Sequence, residues 1–215
     1  MESDANVVVV TGFAPFRSHH VNSSWEAVKE LSRTGLGDGT QLHTLQLPVS
    51  YEKSAQQVSK IWATLKPQLA VHVGTDSSSK AIVLEQCGRK SGYTERDVCG
   101  FCPEGGSCPL QGPEIRESTI NLKTLRQNLS VPGVDLLCSR DAGRYVCDYT
   151  YYISLHYGNG KAAFIHVPPL SESLTAELLG SALRTIIQAM VKQCRHTDDG
   201  ALGVTGQRAH SQNSQ

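Results

Sequence analysis

NVVVVT, at residues Asn6–Thr11, is an almost unbroken run of β-branched residues, and the fold depends on it. A strand that is apolar at every position is typical of a parallel sheet, because helices cover both of its faces. LAVHV at Leu69–Val73 and KAAFIHV at Lys161–Val167 have the same character. These three runs therefore predict buried strands of one sheet.

Helical patterns lie between the predicted strands. Trp25, Val28 and Leu31 recur at helical spacing after Asn22, which is a favourable helix start. A second apolar stripe ends before a proline, and another strand is predicted between the two helices. The residues concerned are Ala55, Val58, Ile61, Trp62, Leu65 and Pro67, with the strand at Leu42–Val49. This alternation predicts an α/β fold, a three-layer α/β/α sandwich around a mostly parallel sheet.

The later part of the chain is less regular. Ala81–Leu84 predicts a short strand that ends at Glu85, and Val134–Cys138 predicts a buried strand. The length of 215 residues suits one domain, which we place at residues 1–194. Within it, residues 86–118 are rich in Gly, Pro and Cys and predict a long surface excursion. Residues 195–215 are polar and predict a disordered tail.

Charge and composition exclude several classes of partner. The chain has 20 basic and 20 acidic residues, so its formal net charge of zero gives no reason to expect nucleic acid or an anionic membrane. The start, MESDANVVVV, lacks a basic region, and no stretch approaches the ~18 apolar residues of a membrane helix. We predict a cytoplasmic protein with its seven cysteines reduced.

The stretch DAGRYVCDYTYY, at Asp141–Tyr152, places a cysteine where a loop turns into a helix. Unpaired backbone N–H groups and the helix dipole favour a thiolate there, and the thiolate is the form that attacks carbonyls. The run ending FIHV places His166 at a strand tip before two prolines. Cys147 and His166 can therefore form a nucleophile and base pair.

Two other interpretations stay open at this point. An isolated cysteine is usually a small buried hydrophobe, and an isolated histidine near an apolar strand is usually structural. The spacing Cys99-x-x-Cys102, with Cys108 nearby, suggests zinc, but a fourth ligand is not evident and the usual paired motif is missing.

Five motifs, in the order in which the family has them, resemble the pyroglutamyl-peptidase I family. Their residues are most similar to those of a vertebrate paralogue within it. The similarity extends from about Val7 to Met190. The motifs are TGFAPF (Thr11–Phe16), VNSSWEAV (Val21–Val28), VLE ending at Glu85, DAGRYVCDYTYY (Asp141–Tyr152) and FIHVPPL around His166.

The resemblance implies an α/β/α cysteine exopeptidase that removes an N-terminal pyroglutamyl residue from peptides. Its catalytic set would be Glu85, Cys147 and His166, and Phe13 and Phe16 would line the ring pocket. It implies a pyroglutamyl peptide as the partner and no cofactor or metal. The alternative is a weak or inactive paralogue that binds N-terminally blocked peptides.

Two departures from the family pattern bear on activity. The first loop of the family typically reads GFGPFG, whereas this chain has Ala14 and Arg17. If either position needs a positive φ, the replacement strains the loop by about 1 kcal/mol. The second departure is TDSSSK at Thr75–Lys80, where relatives are more apolar, and this segment is expected to reshape the pocket.

Overall fold

A computed structural model describes residues 6–16, 20–37 and 39–202 of the chain. The eight strands of this described part are β1 Asn6–Phe13, β2 Thr40–Leu47, β3 Leu69–Thr75, β4 Ile82–Glu85, β5 Cys87–Arg89, β6 Ile115–Glu117, β7 Leu136–Ser139 and β8 Ala162–Val167. Its α-helices are α1 Ser23–Thr34, α2 Tyr51–Thr64, α3 Leu122–Asn128, α4 Val146–Tyr157 and α5 Ala176–Leu202.

Six strands form the main sheet, in the order β2-β1-β3-β8-β4-β7. The first four of these run parallel to one another. β4 is antiparallel to β8, and β7 is parallel to β4, so the last two strands run the opposite way. The three apolar runs of the sequence form β1, β3 and β8, which lie in the interior of the sheet. The prediction of a mostly parallel sheet is therefore confirmed.

Helices cover both faces of this sheet. Helices α1 and α5 pack together on one face, over alternate residues of β1 and β3 such as Val8 and Val71. Helices α2 and α4 pack together on the other face, over an aromatic cluster that includes Phe13 and Phe164. The predicted three-layer α/β/α architecture is confirmed. Of the helices in the described part of the chain, none has the length and apolar content needed to span a bilayer.

Two predicted elements differ from those in the structure. The buried strand expected at Val134–Cys138 is β7, which starts at Leu136 and has no buried residue; Leu137 is 46% exposed. An outermost strand has a neighbour on one side only, so an apolar run is insufficient to bury it. The tail expected to begin at residue 195 starts inside α5, which continues to Leu202, and residues 203–215 lie outside the described part.

The excursion at residues 86–118 packs onto the domain rather than extending from its surface. β5 and β6 form a separate two-stranded antiparallel sheet, and Gly88 approaches the backbone of Tyr152 on α4. Tyr93 and Cys108 are fully buried by the same helix layer. The Asp97 carboxylate accepts hydrogen bonds from the backbone of Tyr51, at the start of α2, and of two residues in its own loop. The excursion therefore forms a wall beside α2 and α4.

Candidate active site

Cys147 is the second residue of α4, at the end of the helix where backbone N–H groups are unpaired. Tyr145, the N-cap residue, makes no capping hydrogen bond with its side chain. Its hydroxyl instead donates to the Arg96 carbonyl in the excursion, at 3.2 Å. The first N–H groups of α4 are thus not capped by Tyr145, and they are suited to bind a negatively charged oxygen.

Gly74, near the end of β3, provides the space that the Cys147 sulfur occupies. A Cβ atom at Gly74 would lie 2.9 Å from Sγ of Cys147 and 3.0 Å from the Phe164 ring. Contacts that short do not occur between such atoms without displacement, so a larger residue here would move the sulfur or the ring. The sequence contained this signal, because Gly74 directly follows the apolar run LAVHV at Leu69–Val73.

His166 contacts both other predicted catalytic residues. Its Nδ1 lies 2.9 Å from Oε1 of Glu85, and Cys147 is close enough to the imidazole to raise its pKa. Because Nδ1 faces Glu85, Nε2 is the ring nitrogen left for the sulfur. The His166 and Glu85 side chains are only 10% and 4% exposed. The structure therefore brings Glu85, His166 and Cys147 into one connected group.

Glu85 reaches this group across an antiparallel pair of strands. In a fully parallel sheet, Glu85 and His166 would meet because each would end a strand at the same sheet edge. However, β4 is antiparallel to β8, and Glu85 pairs with Phe164 while Val83 pairs with His166. Residues two apart on a strand share a face, so Glu85 is the diagonal neighbour of His166. Tyr151 of α4 donates its hydroxyl proton to the Glu85 carbonyl at 2.8 Å and fixes the backbone there.

The surroundings of His166 favour its protonated form. Burial alone would lower the pKa of His166, but hydrogen bonds with Cys147 and Glu85 and the charges of both groups outweigh burial. They raise the pKa to about 10. The ring also lies against Phe164, with centroids 4.9 Å apart. An imidazolium held between a sulfur and a carboxylate can deliver a proton to a leaving group.

The two phenylalanines expected to line a pocket occupy different positions. Phe13 is 2% exposed and lies 6.5 Å from Phe164 between ring centroids, within the aromatic cluster on the α2 and α4 face. Phe16 is partly buried against that cluster, and it also lines a cavity of about 290 Å³. Both side chains are therefore near the Cys147 end of the sheet. Phe16 lines that cavity, whereas Phe13 does not.

Of the departures from the family pattern, Ala14 and the TDSSSK segment lie in the described part of the chain. Ala14 does not have a positive φ; among the described non-glycine residues, Lys66 and Asn159 do. The condition for strain at this position is therefore not met. The Ala14 N–H donates to Leu47 and its carbonyl accepts from Asn22. Arg17 lies outside the described residues. In the TDSSSK segment, the Thr75 hydroxyl donates to the Asn22 side chain at 2.8 Å.

The cysteines of the excursion do not form a metal site. Cys99 is exposed, Cys108 is buried, and the Cys102 thiol is directed at the Tyr93 carbonyl. Within the described residues, no group of three or more His, Cys, Asp or Glu side chains is placed to hold a metal ion. The structure therefore does not support the zinc interpretation.

Asp148, next to Cys147, was missed by the sequence analysis. It is fully buried and accepts hydrogen bonds from the Tyr93 hydroxyl at 2.9 Å and from the Arg89 N–H at 3.2 Å. Burial raises the pKa of Asp148 to about 7, although these donors oppose the shift. Asp148 thus joins the excursion to the first turn of α4. No spacing in the sequence pairs these residues, because their contact is made only by the folded chain.

Comparisons with known proteins agree on one family. A family model described as pyroglutamyl peptidase matches residues 6–195. The chain is 54% identical to the human pyroglutamyl-peptidase 1-like protein over 166 residues, covering 76% of this chain and 85% of that protein. It is 45% identical to mouse pyroglutamyl-peptidase 1 over 193 residues, covering 89% and 92%. Among solved structures, pyrrolidone carboxyl peptidase from Fervidobacterium islandicum matches with a TM-score of 0.77 and 30% identity, covering 86% and 98%.

Proposed function

We propose a cysteine exopeptidase reaction for this chain, which belongs to the pyroglutamyl peptidase family: hydrolysis of the bond that follows an N-terminal pyroglutamyl residue. The observation that carries the proposal is the grouping of Cys147, His166 and Glu85, in which the imidazole is hydrogen-bonded to the carboxylate at 2.9 Å and lies next to the thiol. A nucleophile, a base and a group that orients the base are the elements of covalent peptide hydrolysis.

Each residue of the series has one role in the proposed reaction. The Cys147 sulfur adds to the carbonyl carbon of the pyroglutamyl residue, and the carbonyl oxygen takes up negative charge. N–H groups in the first turn of α4 bind that oxygen. The carbon–nitrogen bond then breaks, and the His166 imidazolium gives its proton to the leaving amine. The product of this half-reaction is a thioester on Cys147.

Water completes the reaction. His166, now neutral, takes a proton from a water molecule, which attacks the thioester. This step releases pyroglutamic acid and regenerates the Cys147 thiolate beside a protonated His166. Glu85 holds the imidazole by its Nδ1 throughout, so that Nε2 keeps facing the reacting atoms. Phe13 and Phe16 supply apolar surface for the small neutral ring, which favours a mostly apolar slot with few polar groups. The proposed compartment is the cytoplasm, because all seven cysteines are free thiols and reducing compartments keep them so.

The test is release of the fluorophore from a pyroglutamyl-aminocoumarin substrate. We expect Cys147→Ala to abolish release and alkylation of the thiol to do the same. Cys138→Ala is the matched control, because this exposed thiol on β7 undergoes the same chemical change at the sheet edge. Calorimetric binding of pyroglutamyl peptides without Cys147-dependent hydrolysis would replace this proposal with that of a non-catalytic binding protein.

A further inference from the structure

Asp148 is a buried carboxyl group immediately after the reacting cysteine. It is the third residue of α4, and its side chain is fully buried. It takes no part in the proton transfers proposed for His166. A buried carboxyl group has lost its contacts with water, so the protein must supply its hydrogen-bond partners. The positions of these partners decide what Asp148 holds in place.

Asp148, Tyr93 and Arg89 form a closed ring of polar contacts between α4 and the excursion. The Arg89 N–H donates to Oδ1 of Asp148 at 3.2 Å, and the Tyr93 hydroxyl oxygen lies 2.9 Å from Oδ2. The same hydroxyl also contacts the carbonyl oxygen of Arg89. Because Arg89 belongs to β5, the ring joins the excursion to the turn of α4 that carries Cys147.

The number of hydrogens available in this ring favours a protonated Asp148. A tyrosine hydroxyl carries one hydrogen, so it can donate fully to only one of its two acceptors. Burial and the neighbouring Asp148 raise the pKa of Tyr93, so the hydroxyl keeps that hydrogen at neutral pH. With Asp148 ionised, either Oδ2 or the Arg89 carbonyl therefore lacks a donor, which is costly in a buried place. With Asp148 protonated, Oδ2 donates to the Tyr93 oxygen, the hydroxyl donates to Arg89, and every contact in the ring is a hydrogen bond.

The charges around the carboxyl group agree with this count. Burial raises the pKa of Asp148 to about 7 and the Asp141 charge adds to this, although the two donors and Arg144 oppose it. Nη1 of Arg144 lies 3.8 Å from Oδ2, too far for a hydrogen bond, and is itself 2.6 Å from Asp141. Two further titratable groups that sense the Asp148 charge lie on α4 and β5. Burial raises the pKa of both, so they are uncharged near pH 7; they are Tyr151 and Cys87.

We infer that Asp148 is a positioning residue that acts in its protonated form, fastening the first turn of α4 to the excursion. This turn carries the Cys147 sulfur and the N–H groups proposed to bind the oxyanion. The inference rests on the proposed function and specifies how pH regulates the site. Ionisation removes the donor to Tyr93 and leaves a buried carboxylate that is drawn toward Arg144. Because a displacement of about 1 Å can cost about a hundredfold in rate, we expect a smaller shift of this turn to cost about tenfold.

The test is the pH profile of kcat/KM for pyroglutamyl-aminocoumarin. We expect the wild-type value to fall by about tenfold between about pH 6 and about pH 8, with a midpoint near 7. Asp148→Asn should lack this fall and keep the wild-type rate near pH 6, because its amide donates to the Tyr93 oxygen at every pH. Asp135→Asn is the matched control, because it makes the same change in an exposed carboxylate, and it should keep the wild-type profile.

Two further variants open the ring. Asp148→Leu keeps the approximate size of the side chain without its polar atoms, so it should lower kcat near pH 6 by at least about tenfold with KM nearly unchanged. Tyr93→Phe removes one hydroxyl from the same ring, and it should lower kcat in the same way even if the leucine variant does not fold. Infrared spectroscopy gives a readout that is independent of turnover. We expect a protonated-carboxyl band that disappears near pH 7 in the wild type and is missing from Asp148→Asn.

Three results would overturn the inference. They are a wild-type fall in kcat/KM that persists in Asp148→Asn, an Asp148→Asn variant as slow as Asp148→Leu, and absence of the infrared band from the wild type near pH 6. Each of these results would leave Cys147-dependent cleavage, and with it the proposed function, intact. Absence of any Cys147-dependent cleavage would instead remove the proposed function and the positioning role with it, whereas the infrared band would still decide the protonation state of Asp148.

Discussion

Glutamine at position 85 would keep the shape of the side chain and remove its charge from His166. Oε1 of Glu85 lies 2.9 Å from Nδ1 in a nearly buried environment. A hydrogen bond to a charged partner is worth about 1.5–3 kcal/mol, or about one to two pKa units at about 1.4 kcal/mol per unit. We therefore expect Glu85→Gln to lower the pKa of His166 by that amount, from its value of about 10.

The rate should fall together with the pKa. The amide can turn its NH₂ group toward Nδ1, which then accepts a hydrogen bond, and the imidazole is held in the wrong tautomer. Loss of the orienting carboxylate costs about 10⁴-fold in the serine-peptidase triad. We expect kcat/KM of Glu85→Gln near pH 7 to be lower by about 10²–10⁴-fold, and the high-pH limb of its profile to move down by about one to two units.

Two assays follow the same variant. Fluorophore release from pyroglutamyl-aminocoumarin across the pH range gives the pH profile of kcat/KM. The rate at which iodoacetamide alkylates Cys147 reports on the protonation of the Cys147–His166 pair even where turnover is slow. Glu117→Gln is the control, because it makes the same change in an exposed carboxylate that pairs with Arg140. An unchanged pH profile in Glu85→Gln, or a high-pH limb that moves upward, would refute the reasoning.

Three further substitutions test the surroundings of the site. Gly74→Ala should lower kcat/KM at least 100-fold and destabilise the fold by about 1–3 kcal/mol, since its Cβ would lie 2.9 Å from the Cys147 sulfur; normal kinetics would contradict this. Burial lowers the pKa of His72 from 6.5 to about 3, so stability present above pH 6.5 is lost as pH falls, by about 2 kcal/mol between pH 7 and 5. Urea unfolding at several pH values should show this loss of unfolding free energy in the wild type and a weaker dependence on pH in His72→Gln. An equal pH dependence in the two proteins would count against it. Burial raises the pKa of Asp148 from 3.8 to about 7, so its stabilising effect is present below pH 3.8 and is lost as pH rises to 7. Asp148→Asn should therefore gain about 2–3 kcal/mol relative to wild type between pH 5 and 8 in the same assay, and a difference that does not vary with pH would exclude this role.

Strong local patterns made the central layers predictable from the sequence. NVVVVT and LAVHV became β1 and β3 because each run is apolar on both faces, which only an interior strand satisfies. The helix start at Asn22 was also correct, since its side chain accepts a hydrogen bond from the Ser24 N–H. Cys147 and His166 themselves lie in such regular elements, on α4 and β8.

Strand direction was not predictable from composition. β4 has four residues, and an apolar run of that length is equally compatible with a parallel or an antiparallel neighbour. One signal was available in the connection to it. Six residues, 76–81, separate β3 from β4, too few for the crossover that a parallel neighbour needs. In the sheet, β8 lies between these two strands.

The excursion was unpredictable for a different reason. Its glycines and prolines remove any hydrophobic period, so the burial of Tyr93 and Asp97 has no local signature. Both residues are held by partners distant in sequence, Tyr93 by Asp148 and Asp97 by the start of α2. Such contacts exist only after α2 and α4 have packed together, and a single sequence contains no record of them.

The antiparallel placement of β4 changes how rigidly the three groups are held. A carboxylate on a loop at the sheet edge would depend on that loop for its position, whereas Glu85 is in a strand hydrogen-bonded to the strand of His166. Tyr151 then fixes the Glu85 backbone from α4, the helix that also carries Cys147. The distance between carboxylate and imidazole is therefore set by ladder geometry, and the sulfur is tied to the same frame through one helix. Variation in the loops around the site, as in TDSSSK, can then alter which peptide binds without moving the reacting atoms.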